Sequence, residues 1–238
     1  FQLKEYEQAL APLSKALELR KAEGRGNTEI ILALGRCHLQ LNQHDRALSY
    51  LETLVNQQPD AVSYYLLGFA YANLKRTNEA VQALKTSVKL DAKDADTWYY
   101  LGVIQFRAGN IDGALEALRG GTAAAPENVE ILKLLSETLV RRGLAEADPT
   151  KANTFYEEAI KAAVKLKTVR DDAVSTELLG RTYLAAKKYT SAELTLSRAL
   201  SLTKEPTASL YFNLGFAHAQ NKSWARAADM LLQANRLN

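Results

Sequence analysis

A leucine-glycine pair returns along the chain at a nearly constant interval: Leu34-Gly35, Leu67-Gly68, Leu101-Gly102, Leu135-Ser136, Leu179-Gly180 and Leu214-Gly215. The glycine column advances by 33, 34, 34, 44 and 35 residues. Self-similarity at a period of roughly 20–50 residues marks an array of supersecondary units that bury their apolar faces against their neighbours. Folds built around one central core are thereby excluded, because in such an array each unit touches only the next.

Further columns keep the same phase. Three residues after the glycine stand His38, Tyr71, Gln105, Leu139, Tyr183 and His218; twelve after it stand Ala47, Ala80, Ala114, Ala192 and Ala227. Ala152 takes the alanine role in the fifth unit if four residues are inserted. Four residues beyond each alanine a large side chain returns, at Leu51, Leu84, Leu118, Tyr156, Leu196 and Leu231, one turn on and on the same helical face. Each unit therefore holds two amphipathic helices. Turn-forming residues fall between the patterns at Asn42-Gln43, Lys75-Arg76-Thr77, Gly109-Asn110, Asp148-Pro149 and Asn221-Lys222-Ser223. Thr77 is expected to cap a helix, and Asp148 to cap one that Pro149 opens. Pro59 and Pro126 fall near the starts of first helices, where the missing N–H costs little. No stretch alternates with period two, so the chain reads as all-α.

This set of columns resembles the tetratricopeptide repeat, a pattern of an aromatic or large residue, Leu-Gly, Tyr, then Ala, a large apolar residue, Ala and Pro. One unit carries Trp98, Leu101, Gly102, Gly109, Ala114, Leu118 and Pro126 in register; others carry Tyr64, Leu67, Gly68, Tyr71, Ala80 and Leu84, or Tyr211, Leu214, Gly215, Ala227, Leu231 and Ala234. The resemblance covers essentially the whole chain and implies a right-handed α-solenoid of tandem helix-turn-helix units, one array over residues 1–238. The expected units are 1–27, 28–60, 61–94, 95–128, 129–172 with an insertion, 173–207 and 208–238. The first holds only a second helix, from about Phe1 to Ala22, with Tyr6, Ala9, Leu13 and Ala16 in register. Starting inside one repeat and stopping as another closes suggests an excerpt of a longer protein. Ser136 and the Gly120-Gly121 pair depart from the pattern, and residues Leu144 to Asn153 of the stretched fifth unit are expected as a loop away from the scaffold.

Composition narrows the partners. The net charge is +3 from 30 basic and 27 acidic residues, and no basic cluster is interleaved with aromatics, so nucleic acid is not expected. A single cysteine, Cys37, rules out an intramolecular disulfide and a cysteine metal cluster, and reads as a small core residue. No apolar run is long enough for direct membrane insertion; a cytoplasmic location is favoured over an exported one. His38 and His218 occupy a packing column, and His44 sits at a turn where it is expected to be solvated. Asp91, Asp94 and Asp96 gather at a helix start, where negative charge complements the backbone dipole. No nucleophile, base and orienting group come together. No catalytic residue, cofactor or metal site is expected.

The resemblance further implies that first helices line a concave surface, with side chains three before and one after the glycine facing inward. Those pairs are Leu32 with Arg36, Tyr65 with Phe69, Tyr99 with Val103, Lys133 with Glu137, Glu177 with Arg181, and Phe212 with Phe216. Family members that clamp a chaperone peptide's terminal carboxylate place lysines, asparagines and an arginine in three successive repeats; Leu32, Arg36, Tyr65, Leu66, Phe69 and Tyr99 do not form that series. Instead Tyr65, Phe69, Tyr99, Tyr100 and Phe106 are expected to share one groove, with Asn73 and Arg107 at its edge. Buried aromatic anchors contribute about 2 kcal/mol or more each to binding. Lys133 with Glu137, and Glu177 with Arg181, stand at i, i+4 and are expected to neutralise each other, or else, with Arg141, to read charges on a longer ligand. The function expected is a non-catalytic scaffold or adaptor holding a peptide or protein segment through apolar and aromatic anchors. The alternatives are an assembly module that self-associates through its end helices, and the targeting segment of a larger enzyme.

Overall fold

Alanine, leucine and long charged side chains lose little freedom in helices, and helix is what they form. The structure, a computed structural model, describes residues 2–24 and 26–237. Phe1, where the opening helix was expected to begin, lies outside the described residues, as do Arg25 and Asn238. Among the described residues there are thirteen α-helices and no strand. They fall into two compact units, Phe1–Gly109 and Asn110–Asn238. The first unit holds α1 (Gln2–Ala22), α2 (Thr28–Gln40), α3 (His44–Gln57), α4 (Ala61–Asn73), α5 (Thr77–Leu90) and α6 (Ala95–Arg107). The second holds α7 (Ile111–Ala124), α8 (Val129–Ala145), α9 (Pro149–Val169), α10 (Ala173–Ala185), α11 (Tyr189–Leu202), α12 (Ala208–Gln220) and α13 (Trp224–Arg236).

Successive helices pack as hairpins, α2 with α3, α4 with α5, α8 with α9, α10 with α11 and α12 with α13. The glycine column explains how closely. A Cβ on Gly35 would lie 2.9 Å from Leu51, on Gly68 2.7 Å from Leu84, on Gly180 2.6 Å from Leu196 and on Gly215 2.9 Å from Leu231. Each large residue sits directly on bare helical backbone. Leu51, Leu84 and Leu196 are fully buried, each contributing about 1.5–3 kcal/mol. Leu231 is 38 % exposed.

The turns inside the hairpins share one device. Seven residues after the glycine column, Asn42, Lys75, Gly109, Lys187 and Lys222 adopt φ between 57° and 78°. In the four non-glycine cases the next amide donates to the carbonyl of the column-three residue, at 2.8–2.9 Å: Gln43 to His38, Arg76 to Tyr71, Lys188 to Tyr183 and Ser223 to His218. These are Schellman closures. They leave the following residue as N-cap, which corrects the expectation for Thr77: Arg76 is the cap, without a side-chain bond, and Thr77 is the first helical residue. Side-chain caps cluster at first helices instead, from Asp60, Asp94, Asn128, Asp172 and Thr207.

The fifth hairpin departs from this plan and from the sequence reading. Residues 144–153 do not form a loop: α8 runs on to Ala145, α9 begins at Pro149 behind its Asp148 cap, and only three residues intervene. The added length is helical, lengthening both arms. The register differs too. Ser136 Oγ donates to Ala159 O at 3.1 Å, so Ala159 stands where Ala80 stands opposite Gly68, and Ala163, fully buried, takes the place of Leu84. Ala152 and Tyr156 belong to the extension, where a Cβ on Gly143 would lie 2.7 Å from Tyr156. A serine in the glycine column thus faces alanine, and the next glycine along α8 receives the large side chain.

Candidate functional site

Burying the leucine-glycine edge of each first helix turns its opposite edge outward. Leu34, Leu67, Leu101, Leu135, Leu179 and Leu214 are at most 6 % exposed. By contrast, all twelve residues three before and one after the column are half-buried or exposed. Of these, Leu32 packs against the core of the first unit, whereas Arg36 is exposed.

In the first unit α4 and α6 bring three rings together. Tyr100 lies 5.4 Å from Phe69 in a tilted stack and 6.1 Å from Tyr65 edge-on, separations at which aromatic pairs attract. Burial pushes the Tyr100 phenol up to about 12, with the Tyr65 hydroxyl adding to it and Arg107 opposing. The Tyr65 phenol is also raised, first by burial and then by Asp96 and Asp94. Both hydroxyls therefore remain protonated donors at neutral pH. Beside the cluster, Tyr100 lines a cleft of about 230 Å³ with Ala72, Asn73, Thr77, Ile104, Arg107 and Ala108. Asn73 Nδ2 donates to Phe69 O at 2.8 Å, which fixes the amide at the end of α4. The structure thus joins Tyr65, Phe69 and Tyr100 in one cluster, and Tyr100, Asn73 and Arg107 in one cleft. Tyr99 and Phe106 are half-buried on α6.

In the second unit the expected ion pairs do not close. Lys133 and Glu137 on α8, and Glu177 and Arg181 on α10, make no salt bridge with one another among the described residues; Lys133, Glu137 and Glu177 are half-buried and Arg181 is exposed. For Lys133 the order lysine-then-glutamate is the weaker one on a helix. Arg141 is exposed at the end of the same α8 stripe. Phe212 and Phe216 on α12 are 55 % and 40 % exposed, and Phe216 meets Tyr189 edge-on at 6.3 Å.

The groups that carry chemistry elsewhere are occupied by packing here. Cys37 is buried and its thiol pKa is raised by that burial, which disfavours the reactive thiolate. His38 is buried, stacks on Tyr50 at 5.4 Å and bonds Gln43 through Nδ1 at 2.8 Å. His218 is buried with Glu193 Oε1 3.3 Å from its Nδ1. His44 opens α3 with its Nδ1 enclosed rather than solvated. Asp94 accepts from Asp96 N, Thr97 N and Thr97 Oγ1, capping α6. No group of three or more His, Cys, Asp or Glu side chains suited to a metal ion occurs among the described residues, and no described helix is long and apolar enough to cross a membrane.

The sequence pattern of the tetratricopeptide repeat matches residues 1–68, 71–138 and 177–237, well over half of the chain. The chain belongs to the tetratricopeptide repeat family. Among curated relatives it is 23 % identical to the BBSome complex member BBS4 of Bos taurus over 98 % of this chain, and spans 42 % of that protein's length. Two solved folds are similar. The C-terminal part of a tetratricopeptide repeat protein from Cytophaga hutchinsonii superposes with a TM-score of 0.76 at 14 % identity, covering 98 % of this chain and 92 % of the other. YrrB, a tetratricopeptide repeat protein with an unusual peptide-binding site, gives 0.65 at 15 % identity over 79 % and 92 %.

Tetratricopeptide repeats serve protein–protein interaction, and this chain is an all-α array of them. Sequence reasoning missed Ala72, Thr77, Ile104 and Ala108 as cleft residues. Ile104 was findable, because Asp96, Tyr100, Ile104 and Arg107 follow one stripe of α6 at i, i+4, i+8 and i+11. Thr77 was not, since it comes from α5 and enters the cleft only through the hairpin turn.

Proposed function

We propose that the chain is a non-catalytic interaction scaffold whose first unit holds a peptide-like segment of a partner protein against α4 and α6. The observation that carries this reading is the half-buried cluster of Tyr65, Phe69 and Tyr100 beside a cleft edged by Asn73 and Arg107. Aromatic surface that is preformed, partly dehydrated and flanked by a few polar groups is where a partner side chain gains most on binding. The other outward residues, Tyr99 and Phe106 on α6, Lys133, Glu137 and Arg141 on α8, Glu177 and Arg181 on α10, and Phe212 and Phe216 on α12, would extend contact to a longer partner. Membership of a named complex in the relatives supports a scaffold within a multi-subunit assembly. The test is capture of partners with the intact chain, their identification, and calorimetric titration against Tyr65→Ala with Tyr100→Ala. Loss of about thirtyfold or more in affinity, at roughly 2 kcal/mol for a dominant anchor, is expected with the helical circular dichroism retained. Unchanged affinity would remove the aromatic cluster from the interface.

A second reading has its own observation. On α12 and α13, Phe212, Trp224 and Leu232 are more than half exposed beside Leu231, and Phe212 and Leu231 line an open cleft of about 450 Å³. Self-association through this face is the assembly alternative. Light scattering over a concentration series tests it: a mass that rises with concentration and falls back in Trp224→Ser with Leu232→Ser supports it, and a constant monomer mass ends it.

A further inference from the structure

The outward stripe of α6 in the first unit carries opposite charges at its two ends, and that polarity narrows what can lie along it. Asp96 lies at the start of the α6 stripe and Arg107 at its end, about 16 Å apart at 1.5 Å per helical residue. Both side chains are exposed, and neither makes a salt bridge among the described residues. Asp94, beside Asp96, spends its oxygens capping the helix. Tyr100 and Ile104 occupy the middle of the stripe; Tyr100 meets Tyr65 and Phe69 in the ring cluster, and Ile104 lines the cleft beside it.

These charges also act on the neighbouring phenols: beyond the burial that raises both, Asp96 and Asp94 push Tyr65 further up, whereas Arg107 opposes the rise at Tyr100. At the acidic end the ring of Tyr65 adds a face that attracts cations. At the basic end Arg107 and the Asn73 amide line the cleft together, a fork suited to a carboxylate. An extended polypeptide rises about 3.3 Å per residue, so about five residues span the distance between the two charges.

Resting on the peptide-groove reading above, we infer that the occupant is an extended segment with three features: a basic side chain at Asp96, an apolar or aromatic residue against Tyr65, Phe69 and Tyr100, and an acidic side chain at Arg107 and Asn73. The charges set the direction in which the segment runs; the rings supply affinity common to either direction.

The experiment uses the intact chain and three synthetic peptides, acetylated and amidated, each with a central leucine-tyrosine pair. Five residues apart they carry lysine then glutamate, glutamate then lysine, or glutamine at both places. Fluorescence anisotropy at low and high salt reads affinity. One charged order should bind about fivefold to twentyfold more tightly than the glutamine peptide, from two exposed pairs at about twofold to fivefold each, and the advantage should shrink at 1 M salt. Asp96→Asn and Arg107→Gln should each remove about half of the advantage on a logarithmic scale. The combined reversal Asp96→Lys with Arg107→Glu should transfer the preference to the opposite order. Equal binding of all three peptides, still lost in Tyr65→Ala with Tyr100→Ala, overturns the polar inference and leaves the groove reading intact. Absence of binding by every peptide, or binding indifferent to the two tyrosines, overturns both.

Discussion

The hairpin α10–α11 and the hairpin α8–α9 start from the same signals and end differently. In the first, Gly180 receives Leu196, Lys187 takes a positive φ seven residues on, and α11 begins two residues later. In the second the corresponding position is Gly143, better suited to that turn than lysine, yet α8 passes straight through it. The residues that follow account for this. Every other hairpin within a unit places a polar residue next, as the cap of its second helix: Gln43, Arg76, Lys188 or Ser223. Here Leu144 and Ala145 follow, which are good helix formers and poor caps. The next usable cap is Asp148, bonded to Thr150 N at 2.8 Å with Pro149 behind it. A helix stops where its successor can start, not merely where a glycine permits it.

The largest test of this contrast exchanges the two glycines for alanine. In Gly180→Ala the new Cβ would lie 2.6 Å from Leu196, which is fully buried and has nowhere to go. Overpacking costs about 1–3 kcal/mol and outweighs the gain in helix propensity of up to about 1, so urea denaturation should show a net loss of about 1–2 kcal/mol. In Gly143→Ala the obstacle is the edge of Tyr156, a half-buried ring that can swing outward. The two contributions should nearly cancel there, within about 0.5 kcal/mol. Equal losses at both sites would mean that the extension is packed as tightly as the array.

A double-mutant cycle sharpens the register. If Ala163 takes the leucine's place because Ser136 takes the glycine's, then Ala163→Leu alone should cost about 1–3 kcal/mol through overpacking. Ser136→Gly should relieve most of that when the two are combined, a coupling of about 1 kcal/mol or more. The single change Ser136→Gly forfeits the bonds to Ala159 O and Thr182 Oγ1 and should be destabilising alone. Additive effects would show that Ser136 and Ala163 are not partners.

This hairpin also shows what the sequence could and could not disclose. The periodic columns specified helices, hairpin partners and the outward edge of each first helix, because glycine against leucine is a short-range steric demand visible at fixed spacing. In the fifth unit Ala152 and Tyr156 repeat the small-then-large pair of the other units, whereas Ala159 and Ala163, which stand opposite Ser136, do not; a search for the repeated residue types therefore selects the wrong register. The ring cluster was partly legible. Helical spacing put Tyr65 and Phe69 on one edge, but whether Tyr99 or Tyr100 turns toward them depends on how α6 is rotated against α4. Thr97, Leu101 and Gln105 are buried on α6, but residue types alone do not give that rotation.

A smaller effect separates the caps by pH. For Asp172, burial works to raise the carboxyl pKa, but the Ser175 amide and hydroxyl and the Arg170 guanidinium outweigh it, and the net shift is downward. A carboxylate depressed in the folded state contributes stability that is complete above its unfolded pKa of about 3.9 and is lost as pH falls through the folded value. Asp172→Asn should therefore lower stability at pH 7 by about 1 kcal/mol or less, the side chain being 32 % exposed and its charge partly screened, and flatten the decline below about pH 4. An acid denaturation curve unchanged in slope would place that proton uptake elsewhere.

The smallest effect returns to the turn itself. Lys187 holds φ at 57°, a conformation costing a side-chain-bearing residue about 1–2 kcal/mol relative to glycine. Lys187→Gly relieves that cost but lengthens the list of conformations open to the unfolded chain, worth about 0.5–1 kcal/mol in the other direction. A net gain of about 0.5–1 kcal/mol is expected, read as a rise in urea midpoint at constant slope. The same reasoning gives the opposite sign for Leu144→Gly in the extended hairpin, where the backbone is helical and glycine costs up to about 1 kcal/mol. If both changes shift stability in one direction, the positive φ is not what distinguishes a turning hairpin from one that runs on, and the burden falls wholly on the cap that follows.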